Sequence, residues 1–258
     1  MIYRKATKLL HATVHNVKFI LEKTVLKWID YFSVVSKVEK EYLENIVDSD
    51  RIILEAGRVL FSEWKPIDKK EARTKLGIAE NKKVIMYVGK YYKLKGVDVL
   101  LEIYESLKRK YNLELILIGG SSSDPLYRSV KLVGARDFGR LPHHELPLYY
   151  SAADVYLAPA LEGTWVSFGG LSTAVIEALA CNIPVVTSQL IHFPTNEWRK
   201  VGQIPKDRDD VVKCVSRILE NPSSYRNCRS IAKKYYDLEK ISRRTIKIYD
   251  MLFDKYYS

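Results

Sequence analysis

Cysteine is scarce in this chain: Cys181, Cys214 and Cys228 are the three thiols among 258 residues. Their odd number and the lack of any C-x-x-C spacing argue against a disulfide framework and against a zinc site. Long apolar runs are missing as well. No stretch approaches the roughly 20 residues needed to cross a bilayer, and the N-terminus has no compact apolar segment followed by a small-residue cleavage site. A reducing cytoplasm is the location these absences imply. The sequence also lacks a G-x-x-x-x-G-K-[ST] phosphate loop, a G-x-G-x-x-G after the first strand of its main domain, and a G-x-S-x-G nucleophile elbow. NTPase, dehydrogenase and serine-hydrolase readings therefore lose their sequence support.

Positive charge is plentiful, with a formal net of +11, and it is concentrated at the ends. Residues 1–30 carry six Lys/Arg against two acids, and residues 226–258 carry nine against four. The middle of the chain is nearly balanced. A nucleic-acid groove draws its cations from the body of a fold, often with aromatics between them, so no nucleic-acid partner is expected. The basic ends suit either ordinary solvated faces or an anionic membrane surface.

Leu10, Val14, Val17, Leu21, Val25 and Trp28 recur at helical spacing, with Lys8, His11, His15 and Lys18 on another side. The first 29 residues thus read as a basic amphipathic helix that either docks on the protein or lies on a membrane. His11 and His15 have the i, i+4 spacing of a metal pair, but no carboxylate or thiol accompanies them, and no metal site is expected. A strand-like run at 31–35, a polar helix from Ser36 and a β-rich stretch at 51–54 follow. Around Gly57, and at Trp64, Lys65 and Pro66, the chain reads as a connector.

From Lys82 the pattern changes to short apolar runs at 84–88, 115–118, 155–158 and 184–187, separated by amphipathic segments. This alternation predicts an α/β fold, a parallel sheet flanked by helices. Gly89, Gly119 with Gly120, Pro159 and Ser188 sit just past these runs. Loops at the carboxyl ends of parallel strands form ligand crevices, so that edge is the expected site. From Ser223 onward the pattern is helical.

Two segments on that edge could carry chemistry. Gly89-Lys90-Tyr91-Tyr92-Lys93-Leu94-Lys95-Gly96 puts a turn and several ammonium groups ahead of a helix, which suits an anionic phosphate as well as it suits plain surface lysines. Gly163 to Thr173 is a glycine-containing connector, with Gly169 and Gly170, leading into a helix over 174–180 that Ser172 or Thr173 can cap. Glu162 before this loop and Glu177 one turn into the helix could accept hydrogen bonds from sugar or ribose hydroxyls.

Taken in order, these pieces resemble the C-terminal domain of the retaining glycosyltransferases of family 4, also called group 1. The resemblance runs from about Tyr31 to the end. Gly89-Lys90 and Lys95-Gly96 are similar to the family's G-R-L…K-G element, with Lys for Arg at the first basic position. Arg73-Thr74-Lys75-Leu76-Gly77-Ile78 resembles the preceding R-x-x-L-G-I. Phe138-Gly139-Arg140 through Glu145-Leu146, then Ala152-Ala153-Asp154-Val155, resembles the base-recognition loop and the strand after it. Gly170-Leu171-Ser172-Thr173-Ala174-Val175-Ile176-Glu177-Ala178-Leu179-Ala180, then Ile183-Pro184-Val185-Val186, is similar to the G-L-P…E-A-M-A-x-G-x-P-V-V signature, the most specific match of all. Fourteen residues separate Glu162 from Glu177, more than the family's pattern has between its two glutamates.

The resemblance implies a Rossmann-like donor-nucleotide domain over 81–225, the C-terminal half of a GT-B fold. A short remnant of the acceptor domain with a connector would occupy 1–80, and C-terminal helices over 226–258 would pack back on the N-terminal part. It implies transfer of a hexose from a UDP- or GDP-linked sugar to a glycan or lipid-linked acceptor, with retention of configuration and without a metal ion or other cofactor. Lys90 and Lys95 would hold the donor diphosphate and Glu162 the transferred sugar. Glu177 would bind the ribose, with Gly89, Arg140, Gly169, Gly170, Leu171, Ser172 and Thr173 completing the donor site. A non-catalytic donor-binding subunit, joined by a partner chain that supplies the acceptor domain, is the alternative. A peripheral position on the inner face of the membrane would agree with the basic ends.

Overall fold

The computed structural model describes residues 24–54, 57–159 and 171–257. Most of the expected N-terminal helix, including His11 and His15, lies outside the described residues, as do Glu162, Gly169 and Gly170. The chain divides into two compact units, Met1–Glu55 and Ala56–Ser258.

The described part of the first unit is a βαβ element: β1 (Phe32–Val34), α1 (Lys37–Glu44) and β2 (Ile52–Leu54), with the two strands parallel. A capping box starts α1. The Glu39 N–H donates to Ser36 Oγ at 3.2 Å and the Ser36 N–H to Glu39 Oε2 at 3.3 Å, so two helix-end donors are satisfied reciprocally. Val34, Leu43, Val47 and Ile52 form its small core.

The second unit holds the main sheet. Asp68 caps α2 (Lys69–Leu76) by accepting from the Lys70 and Glu71 N–H groups, and left-handed Gly77 ends it. The sheet strands are β3 (Lys83–Val88), β4 (Leu113–Ile118), β5 (Arg136–Asp137), β6 (Val155–Ala158), β7 (Val185–Thr187) and β8 (Gly202–Gln203). All neighbours are parallel, in the order β5-β4-β3-β6-β7-β8. Helices α3 (Val97–Leu107), α4 (Tyr127–Leu132), α5 (Leu146–Ala152) and α6 (Thr173–Ala180) lie in the crossovers, and with α7 (Arg208–Glu220), which follows β8, they flank the sheet. The expected α/β, Rossmann-like fold is thus present. The four apolar runs became the central strands because strands covered on both faces bury every side chain, as β4 does along its whole length.

The unit boundary falls at Glu55/Ala56, ahead of the connector and not near residue 80, because the connector and α2 are bonded into the sheet domain. The Ile67 N–H donates to Ser151 Oγ at 2.9 Å, and buried Arg73 donates to the Ala152 carbonyl at 3.1 Å and to Asp154 at 2.8 Å. Asp154 also accepts from the Val84 N–H at 2.8 Å, which fixes the start of β3 beside β6. At the other end of the unit, α8 (Cys228–Tyr236) packs on α6. Its first turn supplies Arg229, whose guanidinium donates to the carbonyls of Phe61, Trp64 and Ala180. Val59 pairs with the Tyr236–Leu238 backbone in a short bridge. The last helix, α9 (Leu238–Tyr257), has no buried residue and exposes Ile246, Tyr249 and Phe253. Among the described residues no helix is long and apolar enough to cross a membrane.

Candidate active site

Strands are added outward from β3 to β5, and the chain then returns to place β6 on the other side of β3. That reversal leaves a crevice past the carboxyl ends of β3 and β6, where open parallel sheets bind ligands. A cavity of about 170 Å³ opens there, lined by Tyr87, Val88 and Gly89 from β3, Tyr156 and Ala158 from β6, Ser172 and Ala174 from the start of α6, and Lys95 and Gln189. Whole small-molecule sites span about 300–1,000 Å³, so this volume suits one part of a larger ligand.

Among the described residues lining the cavity, Lys95 alone carries a formal charge. Burial lowers its ammonium to about 8, because the charged form loses hydration there. An anion placed beside it would restore what burial removes. The N-terminus of α6 adds the partial positive end of a helix. Ser172 occupies the cap position without a side-chain cap bond, and its N–H donates to Gln189 Oε1 at 3.1 Å.

The loop carrying Lys95 is rigidly built. Gly89 sits at φ 149°, and a Cβ there would lie 2.7 Å from the Tyr87 hydroxyl, so glycine is required where the backbone meets the cavity. The Tyr87 hydroxyl donates to the Lys90 carbonyl at 3.1 Å, and the Asp124 carboxylate accepts from the Tyr91 N–H at 2.9 Å. Burial would raise the Asp124 carboxyl, but the Tyr91 and Ser121 donors more than offset it and hold it below the usual carboxylate range. The Tyr91 ring lies against Gly120 so closely that a Cβ there would come within 2.0 Å of it.

A second cluster lies beside the first. Glu177, one turn further along α6, is buried. Its Oε1 is 2.7 Å from His143 Nε2, and its Oε2 accepts from the Tyr150 hydroxyl at 3.1 Å. The same hydroxyl also lies 3.1 Å from the carbonyl of Ala174, a cavity-lining residue, which joins the two clusters. Trp64 from the connector packs on the His143 ring with centroids 4.7 Å apart.

Of the residues expected from sequence, the structure gathers Gly89, Lys95 and Ser172 around one cavity and sets Glu177 next to it. Leu171 is buried and Thr173 begins α6. Lys90 is exposed, 5.8 Å from the centre of the Tyr92 ring, and does not line the cavity; Arg140 is also exposed. Gln189, Tyr156, His143, Tyr150, Trp64 and Asp124 belong to the site or its support and were not expected. The three thiols are buried and pushed up to about 11 or 12 by burial, so none supplies a thiolate near neutral pH. A larger groove of about 590 Å³ between α3 and α4 is lined by Asp98, Glu102 and Glu105 against Arg109, a balance that disfavours a phosphate.

The sequence profile of the family described as glycosyl transferases group 1 matches residues 68–235. The chain belongs to this family. It is 24% identical to an uncharacterized glycosyltransferase of Methanocaldococcus jannaschii, over 93% of this chain and 63% of that one. It is 30% identical to a D-inositol 3-phosphate glycosyltransferase of Segniliparus rotundus, over 51% of this chain and 30% of the other. Among solved structures, sucrose-phosphate synthase of Thermosynechococcus elongatus superposes with a TM-score of 0.75 at 23% identity, covering 93% of this chain and 62% of that one. Anabaena HepE, solved in complex with UDP and glucose, gives 0.69 at 14% identity, covering 86% and 63%. The glycosyltransferase chain thus spans under two thirds of the length of these proteins, and the likeness covers their fold in the region of its main sheet.

Proposed function

We propose that this group 1 glycosyltransferase transfers a hexose from a UDP- or GDP-linked sugar to a glycan or lipid-linked acceptor, with retention of configuration and without a metal ion. The observation that carries this reading is the crevice at the strand-order reversal with the desolvated Lys95 ammonium in it. The donor diphosphate sits there, between Lys95, the Gly89 backbone and the N-terminus of α6. As the bond from the anomeric carbon to the diphosphate oxygen breaks, the electron pair stays on that oxygen and Lys95 neutralises the growing charge. The acceptor hydroxyl oxygen forms the new bond to the anomeric carbon and passes its proton to the departing diphosphate oxygen. Lys90 adds to the field from the loop, Glu177 accepts from the ribose hydroxyls, and Arg140 lies in the loop beside the base. For the residues outside the described ones, the family resemblance implies a role for Glu162 toward the transferred sugar and for Gly169 and Gly170 toward the donor.

That HepE was solved with UDP and glucose supports a nucleotide-sugar donor for this chain as well. The basic ends, with Arg243 and Arg244 exposed on α9, support a peripheral position on the inner membrane face near a lipid-linked acceptor. The test is donor turnover by the purified chain with UDP- and GDP-hexoses, alone and with lipid or glycan acceptors. Transfer or hydrolysis abolished by Lys95→Ala is the expected result. Tight donor binding with no turnover under any acceptor would favour the donor-subunit reading, in which a second chain supplies the acceptor side.

A further inference from the structure

We propose that His143 is an internal competitor for the donor: its imidazole occupies the Glu177 carboxylate that the ribose needs, and the ribose binds only when His143 swings away. The inference rests on the reading of Glu177 as the ribose ligand.

The geometry is lopsided. The Glu177 side chain is 5% exposed, while that of His143 is 66% exposed. A nearly enclosed carboxylate therefore has a solvent-facing partner at 2.7 Å on one oxygen and the buried Tyr150 hydroxyl at 3.1 Å on the other. Tyr150 is fully buried and cannot leave without disturbing the core. His143 can leave, because its side chain is largely in solvent and its ring contact among the described residues is a tilted one with Trp64. Trp64 is itself buried, and the carbonyls of Phe61 and Trp64 are tied down by Arg229. The imidazole thus leans on a fixed ring and covers the Glu177 oxygen that a vicinal diol would use.

A ligand that must first displace an internal partner binds with an affinity reduced by the open fraction. A hydrogen bond to a charged group, partly exposed to water, holds the closed form over the open one by roughly three- to tenfold. On the same turn Arg140, His144 and Glu145 are exposed, and His144 is the neighbour that needs a control.

The experiment is calorimetric titration with UDP-glucose and GDP-mannose at pH 7.5. Wild type, His143→Ala, His143→Gln, His144→Gln and Glu177→Ala are compared, with melting temperatures as a fold check. The expected result is His143→Ala binding three- to tenfold tighter than wild type. His143→Gln, which still donates to the carboxylate, stays near wild type, and so does His144→Gln. Unchanged or weaker binding by a folded His143→Ala protein overturns the inference. If Glu177→Ala leaves affinity unchanged, or no variant binds either sugar nucleotide, the ribose reading itself fails and takes the inference with it.

Discussion

Replacing Lys95 with Met should move stability and binding in opposite directions. In the folded chain the ammonium titrates near 8 because burial strips its hydration, against about 10.4 for an unperturbed lysine. The folded state therefore binds fewer protons than the unfolded one between these values, so wild-type stability rises with pH across that window and the charged form carries its full penalty below it. Lys95 is only partly buried, and after discounting for solvent screening the penalty is about 1 kcal/mol. The Met variant, similar in length and uncharged, should melt about 2–4 °C higher at pH 7 and lose the alkaline rise. Binding should go the other way. A charge-assisted bond to a diphosphate is worth about 1.5–3 kcal/mol, so Kd should rise by roughly 10- to 150-fold. At a concentration 100 times the wild-type Kd, the donor stabilises wild type by about 2.7 kcal/mol; a 100-fold weaker variant gains only about 0.4 kcal/mol. Differential scanning calorimetry with and without UDP-glucose and GDP-mannose reads both effects. A Met variant that melts lower and still gains the full donor shift would refute the placement of Lys95 at a desolvated anion site.

Removing the Asp124 carboxylate (Asp124→Ala) frees the Tyr91 and Ser121 N–H groups and should cost about 1–3 kcal/mol in urea unfolding while weakening donor binding. Gly120→Ala drives a Cβ into the Tyr91 ring and should likewise displace this loop, lowering the melting temperature more than an Ala substitution at exposed Gly134, where a Cβ meets open space and the cost is that of its left-handed φ of 70° alone. Asp154→Ala leaves the Arg73 guanidinium buried without its carboxylate and should cost about 3–5 kcal/mol, with Arg73→Ala costing a similar amount and the double variant less than the sum. Asp124, Asp137 and Glu114 all titrate below their ordinary values, since hydrogen bonds outweigh the raising effect of burial. Their stabilisation is complete above about pH 4 and is lost as the pH falls below it, so acid unfolding should move to higher pH in Asp137→Asn and Asp124→Asn.

Much of the fold could be read from the chain. β3, β4, β6 and β7 announced themselves because strands covered on both faces must be apolar at every position. β5 and β8 are two-residue edge strands of Arg136–Asp137 and Gly202–Gln203, polar and too short to leave a pattern. The unit boundary left no sequence signal, because Ile67, Arg73 and Arg229 weld the connector to the sheet through long-range side-chain bonds that no local periodicity reports. At the site, Gly89 and Lys95 were legible from turn and charge, and Glu177 from its place one turn into a helix that follows a glycine-containing loop. Gln189 and His143 were not, since each reaches the site only through the parallel crossovers. Lys90 shared its loop with Lys95 but faces solvent, a distinction set by the 3-10 turn over Lys93–Lys95.

A crystal structure of the chain with bound UDP or GDP tests the central claim most directly. The account predicts the diphosphate within hydrogen-bonding distance of Lys95 Nζ, beside Gly89 and the first turn of α6, with the ribose hydroxyls on Glu177 and the His143 ring displaced from it. A nucleotide held in the groove between α3 and α4, or one in the crevice whose phosphates avoid Lys95, would contradict it.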